Sequence, residues 1–560
     1  MKKRKKGFAK TPAVIIVVVV VAAISFAVWH FLHEPEGAPT PPLGGTLTIA
    51  HAEDANILDP ARTDQGYALE VNSLIYDALI TLDDNMNYIP LLAENWSWHE
   101  NENNMYIEFK LREDVKFHCG HPFTADAVVY SINRVKDSWV TSLPQEVQSV
   151  KAVDNYTVRV YVSKESRYIL DWFIGSAAQI VCPHCAEEYG TYFGTLDGPP
   201  CGTGPFKFKE WVENDRIVLE RFDDYTWGPE RYHNKGPAFL DNVIFRVIQQ
   251  NQQKAKFEAG EVDFVADVGV SSERLESWEN NPEIELHIVP SYYLIYLGFN
   301  CASTENHGYS YENGEISPGS VSKAVPKVVR QAIAYALDEN KIIDVAYAGV
   351  ATPATSWLAD TIWSSIGYQK NMYPYDPERA REILDNAGYG GGFTLEVISW
   401  PGPQYSVIAT EIARQLENVG ITLTYQSLGF NMAESKVANK DYNMFVGGYN
   451  WPLADMIWWE WHTVRLPSPN RFWWGDNYTD AIIENTFSFD DEVALRALQE
   501  SQRLIAEDAA GVGLLYPNFI IAHSSRVKGF DISGLTNRGP TGFLMRVPWH
   551  FLDTYIDETE

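Results

Sequence analysis

The 560-residue chain is 45% hydrophobic and 13% aromatic, with 18 Trp, 30 Tyr and 26 Phe, enough apolar surface to offset chain entropy and exclude general disorder. Its length exceeds one ordinary core and predicts two to four structural units. A formal net charge of −30 repels phosphate backbones and excludes nucleic acid as a partner.

In chain order, the first element is not globular. Lys2, Lys3, Arg4, Lys5, Lys6 and Lys10 precede an uncharged run from Ala13 to Phe31, rich in Val and Ile. At helical rise this run spans roughly 28 Å, close to the ~30 Å hydrocarbon core of a bilayer. Residues 13–32 therefore read as a transmembrane anchor, and residues 1–12 as a basic segment held in the cytoplasm. A cleaved signal peptide is the competing reading, since Ser25-Phe26-Ala27 resembles a small-x-small cleavage site. On either reading the remaining chain lies outside the cytoplasm, at the cell surface or in the periplasm, and residues 33–43 form a Pro/Gly-rich spacer.

Beyond the spacer, Gly45 to His51 alternates as a strand, and Leu74 to Ile80 reads as a helix leading to a turn at Asp83. Tyr106–Arg112 and Tyr156–Val162 alternate strictly, with helical spacing from Ala125 to Val135 between them, an α+β order. Pro205–Trp211, Arg216–Arg221 and Asp241–Ile248 add strands. After Asn300 helices predominate: Lys327–Ala336, Asn340–Tyr347, Pro377–Ala387 stopped by Gly388, and Ser406–Val419 stopped by Gly420. With strands at Phe393–Ile398 and Ile421–Tyr425, this part reads as an α/β lobe.

The cysteines are Cys119, Cys182, Cys185, Cys201 and Cys301, and Cys182-Pro-His-Cys185 has the spacing of a thiol-disulfide redox motif. No small redox domain order surrounds it. Outside the cytoplasm, Cys119, Cys182, Cys185 and Cys201 are candidates for disulfides. A metal held by Cys182, His184, Cys185 and Cys201, joined by His118 or His121, is the alternative, but no metal or cofactor is assigned. No glycine-rich phosphate loop, Gly-x-Ser-x-Gly or His-Glu-x-x-His is found, so the chain reads as a non-enzyme.

Several segments in order resemble the peptide/nickel-type extracytoplasmic solute-binding proteins of ABC importers (family 5). These are Ile57-Leu-Asp-Pro60, Ile75-Tyr-Asp-Ala-Leu79, Pro90–Trp96, Phe109–Ser131 with its Gly120-His-Pro122 turn, and Gly202-Thr-Gly-Pro-Phe206. Val329–Ile333, Tyr375–Gly388 and Leu514-Leu-Tyr-Pro517 continue the match. The resemblance implies an α/β fold: a two-lobed periplasmic-binding-protein-like clamp (type II, cluster C) with an additional inserted α+β domain. It places lobe I at residues 44–76, 202–299 and 522–560, inserted domain II at 77–201 and lobe III at 300–521. Hinge crossings are expected near Gly202, Asn300 and Ala522.

It further implies a monomer that captures a small solute, a short peptide, and delivers it to ABC permease subunits with their ATPase. Asp455 best matches the acidic residue that pairs with a peptide's α-ammonium in such proteins. Tyr449 and Trp451 would form one wall, after a strand ending in a Gly447-Gly448 turn, and Trp400 and Tyr405 another. No arginine stands between Ile398 and Ala413, where dipeptide-binding members carry one, which sets this chain apart from them. An oligosaccharide or metal chelate is the alternative cargo, and a membrane-anchored thiol-disulfide oxidoreductase using Cys182 and Cys185 the alternative of another class.

Overall fold

Alternating strands build one large sheet in each of two lobes. The computed structural model describes residues 41–558 apart from 84–86, 102–103, 137, 139–142, 145, 165, 267–271, 290, 303–308, 313–314, 319–322, 360–371, 451–455 and 531–550. Of the chain's two units, Met1–Leu43 and Gly44–Glu560, the second holds every strand and helix described.

The first sheet has seven strands in the order Ile284–Val289, Phe519–Ser524, Phe264–Ala266, Thr46–His51, Asn242–Val247, Arg216–Arg221, Phe206–Val212. Thr46–His51 is its centre and runs parallel to both neighbours. Its Leu47 and Ile49 are buried, as alternation requires of a strand with one face on a core. The second sheet has six strands in the order Ala351–Pro353, Gly511–Pro517, Tyr293–Phe299, Met444–Asn450, Phe393–Ser399, Ile421–Ser427. Its buried core residues all fall between Tyr292 and Tyr516, so the second lobe is one continuous stretch of chain.

A four-stranded antiparallel sheet, in the order Ala93–Asn101, Asn104–Leu111, Thr157–Val162, Val147–Asp154, carries the helix Ala125–Lys136. The helix buries Ala125, Val128, Ile132 and Val135, a spacing of three and four that makes one face. Burying each larger aliphatic side chain contributes about 1.5–3 kcal/mol. These residues share a core with the first large sheet through Ile75, Leu79 and Phe109.

The chain passes from the seven-stranded to the six-stranded sheet between Val289 and Tyr293 and returns between Pro517 and Phe519. Asn300, near one expected crossing, instead follows directly on the strand Tyr293–Phe299, and Ala522, near another, lies inside Phe519–Ser524. Gly202 is packed on the first lobe: a Cβ there would stand 2.1 Å from the Ile75 carbonyl oxygen, and one at Gly204 2.4 Å from that of Leu74. The Gly-x-Gly spacing serves this close approach of backbone to a helix end, sealed by Gly204 N–H donating to Ile75 O at 2.8 Å.

Leu74 to Ile80 is not one helix. The helix Gly66–Ile75 ends there, and Ile80–Leu82 is a strand. Leu74, Ile75, Tyr76, Leu79 and Ile80 are all fully buried, so apolar residues surround the chain and leave no period to read.

The membrane anchor is corrected. Among the described residues no helix is long and apolar enough to cross a membrane, and the run 13–32 lies outside them. The helix Asp491–Glu507 spans 17 residues, about 25 Å, but carries Asp491, Glu492, Arg496, Glu500, Arg503 and Glu507, a charged face that bilayer hydrocarbon would not accept. Attachment to a membrane through the N-terminal segment, and with it a membrane-anchored location, is withdrawn.

Candidate functional site

Phe393–Ser399, Ile421–Ser427 and Met444–Asn450 run parallel, so their C-terminal ends share one edge of the sheet, where open α/β sheets leave room for ligands. Ser399 is level with Val446, and Gly447 to Asn450 therefore project beyond it. Tyr293, the first residue after the crossing from the other lobe, pairs with Asn450. The edge thus adjoins the passage between lobes.

Trp400 and Tyr405 stand at this edge, one just after its strand and the other in the first turn of the helix Pro403–Glu417. The Tyr405 and Tyr293 hydroxyls are hydrogen-bonded to each other. Burial pushes both phenols up, in Tyr293 reinforced by the field of Tyr405, so both remain neutral and able to donate or accept. Tyr425 joins the group, its hydroxyl 2.9 Å from Ser399 Oγ and 3.0 Å from Ser406 Oγ. Tyr449 is half-buried opposite Leu294. Neutral hydroxyls and aromatic faces are groups that orient and stack a guest.

The Gly447-Gly448 pair lies inside the strand Met444–Asn450 rather than in a turn. A Cβ at Gly448 would come within 2.4 Å of the Tyr293 hydroxyl oxygen, and one at Gly447 within 2.1 Å of the Phe445 ring. The glycines are there so that two aromatic rings can lie across the strand, which periodicity alone does not reveal.

Behind Trp400 sits a buried charge cluster that sequence reasoning missed. The Arg471 guanidinium lies 4.9 Å from the Trp400 ring centroid and donates to Glu434 Oε1 at 2.9 Å, and Trp400 Nε1 donates to the same oxygen at 3.3 Å. Arg471 Nη1 is also 3.6 Å from Glu460 Oε1. Burial works against the Arg471 charge, but the fields of Tyr296, Glu460 and Glu434 outweigh it and raise its pKa. Glu460 is pushed up to about 8 by burial, which exceeds the opposing pull of Arg471. Arg471 comes from 71 positions beyond Trp400 and supports its ring. Nothing local around Asn470-Arg471 signals this.

Trp451 and Asp455 lie outside the described residues. Next to them, Trp461 is fully buried and stacked on Phe472 at 4.0 Å, a core residue. Trp458 and Trp459 hold the Arg465 guanidinium at 3.9 and 3.7 Å from their ring centroids, a cation–π pairing.

The cysteines form a separate group. All five are free thiols, so the disulfides expected among Cys119, Cys182, Cys185 and Cys201 are not formed in the structure. Their four Sγ atoms nevertheless lie within 4.8 Å of one another. Cys301 is buried elsewhere, its Sγ 3.6 Å from the Phe299 and Ala510 carbonyl oxygens.

Comparison with known proteins bears on this geometry. Residues 87–465 match the family described as bacterial extracellular solute-binding proteins, family 5 Middle. The glutathione-binding protein GsiB of Pectobacterium atrosepticum is 26% identical over 507 residues, which cover 86% of this chain and 91% of that relative. HbpA2 from Haemophilus parasuis has a similar fold, with a TM-score of 0.75 at 21% identity over 92% of this chain and 100% of that one. The periplasmic binding protein DppA from Helicobacter pylori, in complex with the peptide STSA, gives a TM-score of 0.69 at 22% identity, covering 92% of this chain and 99% of that one.

Proposed function

The chain belongs to family 5 of the bacterial extracellular solute-binding proteins, and we propose that it captures a short peptide at the edge formed by Ser399, Tyr405, Tyr425 and Tyr449. Membership makes it an extracytoplasmic solute-binding component of an ABC peptide importer, which hands its cargo unaltered to the permease, and not an enzyme. The neutral Tyr293–Tyr405 hydroxyl pair carries the reading: it stands where the chain crosses between lobes, so movement of one lobe on the other bears on whatever those hydroxyls hold. A relative named for binding glutathione, itself a short peptide, agrees with this.

In this reading Asp455 receives the peptide's α-ammonium, and Trp400, Tyr405, Tyr449 and Trp451 form the walls. Residues 77–201, which include the four-stranded sheet, act as the additional α+β domain of a type II, cluster C clamp, and the protein works as a monomer with its permease and ATPase.

Calorimetric titration of the full-length protein with tri- and tetrapeptides tests it. A dry ammonium–carboxylate hydrogen bond contributes about 1.5–3 kcal/mol. Asp455→Ala should therefore weaken binding about 10- to 150-fold, and N-acetylating the peptide should weaken wild-type binding by a similar factor. Unchanged affinity in Asp455→Ala would remove the ammonium-pairing role. Binding of an oligosaccharide or metal chelate, with no peptide bound, would remove the peptide.

A further inference from the structure

Four cysteines that peptide capture leaves unused converge from three separated stretches of chain. Cys119 lies in a turn in which Gly120 N–H donates to Phe117 O and Phe117 N–H to His121 O, both at 2.8 Å, with Gly120 in the left-handed region at φ 86°. Cys182 precedes the helix Pro183–Tyr189 and Cys185 lies within it. Cys201 is tied to both: its carbonyl accepts from Cys182 N–H at 3.0 Å, and the carbonyl of the next residue, Gly202, accepts from His118 N–H at 2.9 Å. We propose that Cys119, Cys182, Cys185 and Cys201 hold one zinc ion in a structural four-cysteine site.

A tetrahedron of ~2.3 Å Zn–S bonds sets its sulfurs roughly 3.8 Å apart. All four Sγ atoms lie within 4.8 Å of one another, and Cys119 and Cys182 are 3.4 Å apart. Two disulfides would need closeness only within each pair, at ~2.05 Å. Mutual closeness of four sulfurs is what one central ion imposes, and an iron–sulfur cage would hold its cysteines around a larger object. The Cys-x-x-Cys at a helix start has zinc-ligand spacing. His118 is committed elsewhere: Nε2 is 2.9 Å from Gly204 O, and Nδ1 accepts from Gly202 N–H. His121 and His184 stack on each other at 4.3 Å, and His121 Nδ1, 3.2 Å from Cys119 Sγ, is a hydrogen-bond partner of that sulfur, so the ligand set is the four cysteines.

Binding exchanges four S–H bonds for four Zn–S bonds and releases the protons to solvent. The ion would fasten the 117–121 turn and the helix Pro183–Tyr189 to the Gly202 segment, which rests on the first-lobe helix end at Ile75. This assignment is independent of the cargo.

The full-length protein, purified without chelator, should contain one zinc per chain by elemental analysis. Titration with a mercurial thiol reagent should release that zinc as the four thiols are consumed, and cobalt replacing it should show the intense near-ultraviolet thiolate-to-metal band. Cys185→Ser and Cys201→Ser should lose the metal, and Cys301→Ser should keep it. Metal-free protein whose four cysteines are oxidised to disulfides, iron in place of zinc, or zinc retained after Cys201→Ser would overturn the assignment. The mercurial titration is done on wild type, so it decides the matter even if the serine variants fail to fold.

Discussion

Arg330→Ala should lower the stability of the second lobe by about 3–5 kcal/mol, the range for removing one partner of a buried ion pair. Arg330 sits in the helix Lys327–Ala336 and is fully buried. Its Nη1 donates to Val325 O at 2.7 Å, its Nε to Ala509 O at 3.0 Å, and its Nη2 to both Asp508 O at 2.7 Å and Asp508 Oδ2 at 2.6 Å. The carbonyls of Asp508 and Ala509 follow the end of the helix Asp491–Glu507, where backbone acceptors have no helical partner. Alanine would strip them of their donors and leave a void the size of the side chain. Asp508 would still keep Lys327 and Trp474, which holds the loss within this range. Arg330→Lys keeps a charge but not the planar fork, and its midpoint in urea denaturation should fall between wild type and Arg330→Ala. A midpoint unchanged in Arg330→Ala would contradict this role.

Glu460→Gln should stabilise the protein at alkaline pH and leave it nearly unchanged below about pH 4.5. Neither Glu460 carboxyl oxygen has a hydrogen-bond partner among the described residues, and burial raises its pKa from 4.5 to about 8. The folded state therefore holds a proton that the unfolded state releases. Stability is fully present below about pH 4.5 and declines as pH rises to about 8, by about 1.4 kcal/mol per pH unit, about 5 kcal/mol in all. Glutamine has no proton to lose. The difference in melting temperature, variant minus wild type, should grow through that window and then level off; a difference that stays flat would contradict the buried, protonated carboxyl.

Much of the fold is legible in the sequence because its period is local. Lys327–Ala336 buries Val329, Ala332, Ile333 and Ala336, the three-four spacing by which the helix is read. Gly388 and Gly420, read as helix stops, take φ of 86° and 85°. Phe393–Ser399, read only as far as Ile398, alternates until burial closes over its last three residues. Where an element is buried all round, as from Leu74 to Ile80, the period disappears and the reading fails.

The candidate site is less legible, because it is assembled from parts that sequence keeps apart. Trp400 and Tyr405 were readable as a turn-rich loop after a strand, but their partners Tyr293 and Arg471 come from 107 positions before and 71 after Trp400. The four cysteines show the same limit: spacing singles out Cys182 and Cys185, while only the packing of Gly202 on Ile75 and the turn at Gly120 bring Cys201 and Cys119 to them.

Solute capture here requires two lobes that close on a guest and release it intact. Small-angle X-ray scattering of the full-length protein, with and without a peptide shown by calorimetry to bind, measures this directly. A smaller radius of gyration in the complex, with the peptide recovered at its original mass, is the expected result. An unchanged profile at saturation, or a peptide recovered cleaved or modified, would contradict it.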